Sequence, residues 1–365
     1  MPASDAGAMR LPSNVDEITT DWLSHVLMGS DIGPISSSRI LEVMHGTATK
    51  IQIALTLAKT GERRTVWLKT GFEAHSHEIG QDTVYAGEAY YYGKLASRWD
   101  TRSPRCYYVK HEPDTGKSAV IMEDILAAEP DFFEPIHPLT AERAGRAVTT
   151  LARIHASSWM DPLLLSDPWL STGGAYLHSN VLGWLYSDAN WELMSSLPRF
   201  RALPPILRNR DLLRDTHARL LGLWREAAKP YCLSHGDAHI GQGYQLPDGR
   251  VEFLDWQCVM KNSWANDFSY FLISALSIED RRECQDDLLA FYLGELKAHG
   301  ATPPDFPLAR EVYRAYAFHG IGWVCCKPEM QSEENCAAIA ERFAAAVLDL
   351  DAIEAVRGTP LAYAA

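Results

Sequence analysis

Several features that would assign the chain to a specialised class are absent from its sequence. No apolar run approaches the ~18 residues that a membrane-spanning helix needs, and residues 1–14 lack a basic stretch followed by an apolar one. There is no internal repeat and no low-complexity tract. We therefore expect a cytoplasmic protein that has no secretory signal and no membrane partner.

Paired cysteines and an excess of positive charge are also missing. The 7 cysteines are scattered without a C-x-x-C pair, which indicates reduced and mostly buried thiols rather than a disulfide framework. Lys and Arg number 34 against 47 Asp and Glu, so the net charge is −13 with neutral histidines. Nucleic acid is therefore not an expected partner, although ATP could bind through local cations, helix N-termini or a metal ion.

What is present is the composition of an ordinary globular protein. Apolar residues make up 47% and charged residues 22% of 365 residues, a length that suggests two domains or one large two-lobed unit. Alternation over Ile51–Leu57, followed by a turn and by Thr65–Thr70, predicts a hairpin. Helices are predicted over 83–97, over 140–159 with Thr140 as the N-cap, and over most of the chain after Ala265. The pattern changes from strands to helices near residues 123–130.

The densest group of reactive side chains is the segment Ser234-His235-Gly236-Asp237-Ala238-His239-Ile240-Gly241-Gln242. A tight turn at 247–250 separates two short apolar segments that follow it, and Asp255 ends the second of them. A hairpin at this place would return Asp255 to the loop that contains Asp237 and Gln242.

Two carboxylates and an amide in one space fit phosphoryl transfer. One acid orients or deprotonates the attacking hydroxyl, while the second acid and the amide oxygen hold Mg²⁺ against the nucleotide phosphates. In the kinase catalytic loop the amide residue lies five positions after the acid, and Gln242 lies at that spacing from Asp237. The residue here is glutamine where the kinase pattern has asparagine.

These motifs resemble those of the aminoglycoside phosphotransferase and choline kinase-like superfamily, and in particular its ecdysteroid kinase-like branch. His-Gly-Asp-Ala-His at 235–239 and Leu-Asp-Trp at 254–256 are similar to the H-G-D-x-H and (I/L)-D-W signatures. Residues 151–159 resemble the L-A-x-x-H-A-x-x-W helix of the branch. The resemblance extends over about residues 40–345 and implies an α+β, bilobal protein kinase-like fold. Its N-terminal lobe would be a small antiparallel sheet and its larger C-terminal lobe mainly helical.

The resemblance also implies roles for individual residues and for domains. It implies a flexible tail over 1–14, a nucleotide-binding lobe over 15–125, and a helical lobe over 126–365 that carries the catalytic loop and the acceptor site. ATP and Mg²⁺ would be the cofactors, and a small-molecule hydroxyl would accept the γ-phosphate. The implied site consists of a catalytic Asp237, the metal ligands Gln242 and Asp255, and the nucleotide-binding residues Gly46, Thr47, Thr49, Lys69, Glu88, Glu123 and Ile125.

Gln242 leaves other functions open, because Mg²⁺ tolerates little deviation from octahedral geometry and glutamine is one methylene longer than asparagine. Gln242 itself, or a water molecule in its place, could complete the metal shell. The chain could also be a nucleotide-binding pseudokinase that acts as an interaction module. A further alternative is a metal-dependent hydrolase that uses His235, Asp237 and His239, with Asp255 as a fourth ligand.

The acceptor and the oligomeric state are less constrained by the sequence. An aromatic-rich segment offers either core residues or an apolar acceptor site, and its members are Trp159, Trp169, Tyr176, Trp184, Tyr186 and Trp191. The second possibility favours a steroid-, terpenoid- or aromatic-type alcohol, with choline-like cations or polycations as alternatives. We expect His155 and His235 to be structural. Asp267 either holds the metal loop or caps the following helix.

Overall fold

The computed structural model describes residues 9–46, 48–73, 82–170, 181–227, 230–328 and 331–358. The chain divides into two compact units. One comprises Met1–Leu95 and Pro104–Ala127, and the other Ala96–Ser103 and Ala128–Ala365. No helix within the described ranges is long and apolar enough to cross a membrane.

The first unit is built on an antiparallel sheet of five strands in the order β1-β2-β3-β5-β4. The strands are β1 (Ile35–Met44), β2 (Thr49–Leu57), β3 (Arg63–Thr70), β4 (Cys106–Glu112) and β5 (Lys117–Glu123). Alternate residues of β2 are buried, from Ile51 to Leu57, as the sequence pattern predicts. Helix α1 (Thr20–Val26) covers this apolar face with Trp22 and Leu23, which belong to the same hydrophobic cluster.

Helix α2 (Asp82–Tyr90) follows in the first unit and passes into a π-helical turn, Tyr91–Leu95. The sequence predicts one continuous helix over 83–97, and the structure differs at its C-terminal end. Tyr91 and Leu95 within this turn are buried. The wider turn rotates the side chains away from the register of an α-helix, which is why a 3.6-residue pattern does not reveal it.

The second unit is mainly helical. Its helices are α3 (Ala141–Ser157), α4 (Pro162–Ser166), α5 (Val181–Leu185), α6 (Asp188–Ser196), α7 (Pro198–Ala202), α8 (Arg210–Ala227), α9 (Ala265–Ala275), α10 (Ile278–Ala298), α11 (Phe306–Tyr316), α12 (Glu333–Asp349) and α13 (Ala352–Gly358). Its short strands are β6 (Asp131–Phe132), β7 (Tyr231–Ser234), β8 (Gly243–Gln245), β9 (Val251–Phe253) and β10 (Met260–Ser263). The α+β class predicted from the sequence is confirmed.

Helix α3 shows how the sequence determines an element of this unit. Thr140 is the predicted N-cap, and its side chain accepts a hydrogen bond from the Arg143 backbone N–H at 3.3 Å. Val148, Leu151 and His155 are fully buried on the inner face. Helix α9 is buried along its whole length and lies at the centre of the core, where it fixes the position of the loop described next.

Candidate active site

The loop that follows β7 is held by one buried carboxylate, that of Asp267 in the first turn of α9. Asp267 accepts hydrogen bonds from the backbone N–H of His235 at 2.6 Å and of Gly236 at 3.0 Å, and from the Ser234 hydroxyl at 2.8 Å. The cap position of α9 is Trp264, without a side-chain cap bond. Of the two roles left open by the sequence, Asp267 therefore holds the loop.

A histidine on α3 completes the environment of this carboxylate. His155 Nε2 lies 3.1 Å from Asp267 Oδ2, and its Nδ1 lies 2.6 Å from the Tyr292 hydroxyl. Burial by itself raises the pKa of Asp267, but the hydrogen bond and charge of His155 and the hydrogen bond from the Ser234 hydroxyl lower this pKa to about 2. The carboxylate is thus ionised at neutral pH, and the structural role predicted for His155 is confirmed.

His235 joins the loop to the end of β9. Its Nδ1 accepts a hydrogen bond from the Asp237 backbone N–H at 3.3 Å, so its Nε2 carries the proton and donates to the Leu254 carbonyl at 2.7 Å. Both ring nitrogens are engaged with the backbone, which confirms the predicted structural role. His235 is therefore unsuited to be a metal ligand, and the hydrolase alternative loses one of its proposed ligands.

The hairpin predicted between the two acids is formed by β8 and β9, with Gly243 opposite Phe253. The Leu254 backbone N–H donates to the Gln242 carbonyl at 2.9 Å, so Asp255 follows directly after the residue that pairs with Gln242. The Gln242 Nε2 amide donates to Asp237 Oδ2 at 3.3 Å. The fold thus brings Asp237, Gln242 and the backbone leading to Asp255 into one small region.

Asp255 has a backbone conformation that L-residues rarely adopt, with φ 64° and ψ 64°. It lies between β9 and the 3₁₀ turn Trp256–Cys258, and Trp256 is fully buried. Such left-handed residues concentrate at functional sites, where the surrounding structure imposes the conformation. The buried Trp256 anchors the turn and thereby fixes the point from which the Asp255 side chain departs.

The donor set suits a hard cation. Because Gln242 uses its amide nitrogen toward Asp237, its Oε1 is left for another partner, and Asp255 supplies a carboxylate. Oxygen ligands of this kind, one or two from protein and the rest from phosphate and water, are those that Mg²⁺ prefers. Within the described ranges, no group of three or more His, Cys, Asp or Glu is arranged to hold a metal ion by itself. One amide oxygen and one carboxylate would leave the other positions around such a cation to phosphate and water oxygens.

Three buried aromatic rings meet at the loop and are called here the aromatic wall: His239, which belongs to the loop, and Tyr270 and Trp323, which pack against it. The His239 ring centroid lies 5.0 Å from that of Trp323 and 6.0 Å from that of Tyr270. The Trp323 Nε1–H donates to the Tyr270 hydroxyl at 2.8 Å. Burial and, next, the charge of Asp237 raise the pKa of the Tyr270 hydroxyl, which reflects the nearness of this ring to the acid.

The wall contains two residues that sequence reasoning missed, because Tyr270 and Trp323 come from distant elements with no shared spacing. The aromatic segment that was considered instead contributes largely to the core, to which Tyr270 and Trp323 also belong. Trp159, Trp184 and Trp191 pack against it, and Tyr186 is buried. Trp169 is 37% exposed, and Tyr176 lies outside the described residues.

In the first unit, Lys69 and Glu88 form a buried ion pair. Lys69 Nζ lies 2.8 Å from Glu88 Oε2, and both side chains are less than one tenth exposed. Lys69 is on β3 and Glu88 is on α2, so the pair joins the helix to the sheet. The pairing predicted from the sequence is thus observed within this unit.

The remaining nucleotide-binding candidates lie at two places in the first unit. Thr49 is buried, and its hydroxyl donates to Glu73 Oε1 at 2.7 Å, while His45 Nδ1 lies 2.8 Å from the same oxygen. Glu73 is a residue that the sequence analysis missed. Gly46 lies in the turn between β1 and β2, and Thr47 lies outside the described residues.

Glu123 ends β5 and Ile125 follows it, and the acid between them, Asp124, anchors this part of the chain. Glu123 Oε1 accepts from the Arg105 backbone N–H at 2.9 Å. Asp124 accepts from Gln52 Nε2 at 2.8 Å and from Trp67 Nε1 at 3.2 Å. The main chain at Glu123–Ile125 is therefore fixed to the sheet.

The chain matches the ecdysteroid kinase-like family over residues 193–302. The predicted resemblance is thereby confirmed. A choline/ethanolamine kinase family protein from Mesorhizobium loti is 15% identical, with coverage of 93% of this chain and 99% of that chain and a TM-score of 0.50, which shows the kinase-like fold. The choline kinase LicA from Streptococcus pneumoniae is 14% identical over 87% of this chain and 94% of that chain, at a TM-score of 0.45. No curated protein matches the chain.

Proposed function

We propose that this protein is an ATP- and Mg²⁺-dependent phosphotransferase that moves the γ-phosphate to a hydroxyl group of a small molecule. The observation that carries the proposal is the convergence of Asp237 and Gln242 at the hairpin that delivers Asp255. The kinase-like fold and the buried Lys69–Glu88 pair support it. In this proposal the first unit binds the nucleotide and the second carries the catalytic loop and the acceptor site.

Asp237 is proposed as the catalytic residue. Its carboxylate orients the acceptor hydroxyl and takes its proton as the new O–P bond forms. The hydrogen bond from Gln242 Nε2 to Oδ2 fixes the carboxylate, and the bond from the Asp237 N–H to His235 fixes its backbone. Held in this way, Asp237 needs little reorganisation when the hydroxyl arrives.

Asp255 and Gln242 are proposed as the metal ligands. Mg²⁺, when bound with the nucleotide, neutralises charge on the β- and γ-phosphates. The left-handed backbone of Asp255 and its buried neighbour Trp256 set the direction of the carboxylate. Gln242 would then contact the acid through its nitrogen and the metal through its oxygen, which links the two functions in one side chain.

Lys69 is proposed to bind the α- and β-phosphates, with Glu88 as the partner that holds its ammonium in place. Burial of both side chains fixes the position of the positive charge. Gly46, Thr47 and Thr49 are proposed for the phosphate loop, and Glu123 and Ile125 for the nucleobase. Because the Thr49 hydroxyl is bound to Glu73, its contribution would come through its backbone.

The acceptor is proposed to be a largely apolar alcohol of steroid, terpenoid or aromatic type. The support is that buried aromatic rings of the core, Tyr270 and Trp323, back the loop that carries Asp237, so the surroundings of this loop are apolar. Ring faces also attract quaternary ammonium groups, so a choline-like alcohol is the comparison substrate in any test.

The decisive experiment is an ADP-release screen over an alcohol library with ATP and Mg²⁺, followed by NMR of the phosphorylated product. We expect ADP release that depends on the acceptor and on Mg²⁺.

Three variants test the assigned roles. Asp237→Asn should lower kcat by about 10²–10⁴-fold, as is typical for loss of a general base, while nucleotide affinity is kept. Asp255→Asn should abolish Mg²⁺-dependent nucleotide binding, and Lys69→Ala should weaken ATP use without unfolding.

The same experiment separates the alternatives. Nucleotide binding without transfer to any acceptor would mean a pseudokinase. Unchanged turnover in Asp237→Asn would reject the assigned role of this acid. Hydrolysis of a substrate that needs zinc or iron and proceeds without ATP would reject the proposed phosphotransferase activity.

A further inference from the structure

Helix α9 contacts the catalytic loop, residues 235–242, through a second side chain besides Asp267. The Ser274 hydroxyl accepts a hydrogen bond from the Ile240 backbone N–H at 2.9 Å, and Ser274 is fully buried. Because Asp267 and Ser274 are separated by about two turns, they lie on the same face of α9, about 10 Å apart along its axis. The helix therefore holds the loop at two points, one before Asp237 and one after it.

A second hydrogen bond fixes the direction of the Ser274 hydroxyl. Its single proton is donated to the Phe271 carbonyl of the preceding turn at 3.0 Å. The lone pairs of the oxygen are therefore left for the loop, and the Ile240 N–H takes one of them. Ile240 is fully buried, and a backbone N–H away from water needs an acceptor of this kind.

The main chain of Ser274 is itself held by a buried guanidinium group. Arg342 of α12 is 6% exposed, and its Nη1 donates to the Ser274 carbonyl at 2.5 Å. Ser274 lies one residue before the end of α9, where the last backbone carbonyls have no partner within the helix and attract a cation. Arg342 thus binds the helix end from which the Ser274 hydroxyl contacts the loop.

The contact at Ile240 bears on the position of Gln242. Ile240 begins a 3₁₀ turn that Gln242 ends, and the Gln242 N–H closes this turn by donating to the His239 carbonyl at 2.9 Å. The residues of one hydrogen-bonded turn move together, because the bond spans only three residues. A fixed Ile240 therefore limits where the Gln242 side chain can reach.

We propose that Ser274 is a positioning residue that sets the place of the Gln242 amide oxygen, and that Arg342 supports Ser274 in this role. The inference rests on the proposed function, in which Gln242 is a metal ligand. Without the Ser274 hydroxyl the turn at 240–242 is released at its first residue. The Gln242 oxygen then meets the narrow geometry that Mg²⁺ demands less often, and the affinity for Mg²⁺ in the presence of nucleotide falls.

The first measurement is amide hydrogen exchange of the folded full-length chain, resolved to single residues, which needs neither metal nor substrate. Ser274→Ala removes only the hydroxyl and does not weaken α9 itself, since alanine has the higher helix propensity. Exchange at the Ile240 amide should become about 3- to 10-fold faster, as for the loss of one net hydrogen bond. Unchanged exchange at Ile240 would overturn the proposal.

The matched control is Ser269→Ala. Ser269 is also fully buried on α9, and its hydroxyl likewise donates to a carbonyl of the preceding turn, that of Asn266 at 3.2 Å. In the part of the chain that the structure describes, this hydroxyl has no hydrogen bond with the loop. Exchange at Ile240 should therefore be the same in Ser269→Ala as in the unaltered chain.

The second measurement is the Mg²⁺ concentration for half-maximal ATP binding, obtained by calorimetry without an acceptor. This concentration should rise about 3- to 10-fold in Ser274→Ala and stay unchanged in Ser269→Ala. In a Gln242→Ala background, Ser274→Ala should add no further rise, because the side chain through which it acts is gone. A full additional rise in that background would overturn the proposed route through Gln242.

The remaining outcomes separate this inference from the proposed function. Faster exchange at Ile240 without a higher Mg²⁺ requirement would make Ser274 merely structural and overturn the inference alone. ATP binding by the unaltered chain that does not depend on Mg²⁺ would reject the proposed metal site, and the inference with it. If Ser274→Ala fails to fold, Arg342→Met should produce both changes in the same direction, and their absence would overturn the inference.

Discussion

At the scale of single residues, Gly236 allows the catalytic loop to pass close to the main chain of another turn. Its φ is +84°, and a Cβ added there would lie 2.0 Å from the Cys258 carbonyl oxygen. An L-residue at such a φ is strained, and the clash with backbone leaves no flexible group to move away. Glycine is therefore required for two separate reasons.

A pair of alanine substitutions separates these reasons. Gly61 has a similar φ of +71°, but a Cβ added there would meet nothing within 4 Å. We expect Gly61→Ala to cost about 1 kcal/mol, the strain of the left-handed region alone. Gly236→Ala should cost about 3 kcal/mol or more, because the steric overlap is added. Urea unfolding of both variants measures the difference, and equal losses would show that the clash relaxes freely.

Gln242 combines two contacts, so its substitutions are informative. The amide nitrogen donates to Asp237, while the oxygen is proposed to face the metal. Gln242→Asn should preserve or raise transfer activity, since asparagine offers the same two groups at the kinase position. Gln242→Ala should lower kcat, by about 10-fold or more for a lost hydrogen bond to a charged group.

The measurement for both variants is steady-state transfer at several Mg²⁺ concentrations. A requirement for more Mg²⁺ in Gln242→Ala, relieved in Gln242→Asn, would support metal ligation. If both variants transfer phosphate as well as the parent, Gln242 is not a ligand and the proposed metal shell is wrong.

At the scale of elements, helix α3 holds strand β9, which leads to Asp255. The Thr150 hydroxyl donates to the Val251 carbonyl at 2.5 Å. Arg153 Nη2 lies 3.0 Å from Glu252 Oε2, and Glu252 is 2% exposed. Burial raises the pKa of Glu252, although Arg153 lowers it in turn. Arg153 thus stabilises the negative charge of Glu252 in a buried position, where an unpaired carboxylate would lower the stability of the fold.

Removal of the cation from this pair should be strongly destabilising. Arg153→Met should cost about 2 kcal/mol in the free energy of unfolding, because the buried carboxylate of Glu252 loses its hydrogen-bonded partner and keeps only the longer contacts with Arg250 at 3.6 Å and Arg102 at 3.9 Å. Arg282→Met, which breaks an exposed pair with Asp349, should cost about 0.5 kcal/mol as a control. Chemical denaturation is the measurement.

A double variant tests the cause. Glu252→Gln in the Arg153→Met background should recover part of the loss, since no charge is then left in the core. A double variant as unstable as Arg153→Met alone would attribute the loss to packing of the arginine stem.

At the scale of the whole molecule, three buried histidines determine the response to acid. Burial lowers the pKa of His217 to about 4, and the pKa of His239 and that of His319 to about 3. In the unfolded chain the same groups take up protons near pH 6.5. Because the unfolded state then binds more protons, stability is full above pH 6.5 and is lost as pH falls toward 4 and then 3.

The expected loss is up to about 1.4 kcal/mol per pH unit for each histidine within this window. Protonation of Asp267 adds to this loss of stability only at lower pH, since its pKa is lowered from the ordinary value of 3.8 to about 2. Urea midpoints at pH 7.5, 6.5 and 5.5 measure the slope. His217→Gln should flatten the slope between the last two values, and a pH-independent midpoint would contradict the buried neutral state.

The sequence by itself determined those parts of the protein whose signal is local. The alternation of β2, the cap of α3 and the hairpin before Asp255 were predictable because side-chain period and turn residues act over a few positions. The pairing of Lys69 with Glu88 was predictable because a strand lysine followed by a helix glutamate resembles the order of motifs in kinase-like proteins. Strands β1 and β4 were not predicted, because few of their side chains are fully buried and no apolar alternation marks them.

Only the tertiary structure decided which distant groups meet. The Asp267 carboxylate gathers the loop at His235 because α9 runs through the core beside β7, and no spacing in the sequence encodes that approach. The same is true of Tyr270 with Trp323. Such contacts depend on how helices pack against one another, and packing is set by the shape and volume of the whole core rather than by any short segment.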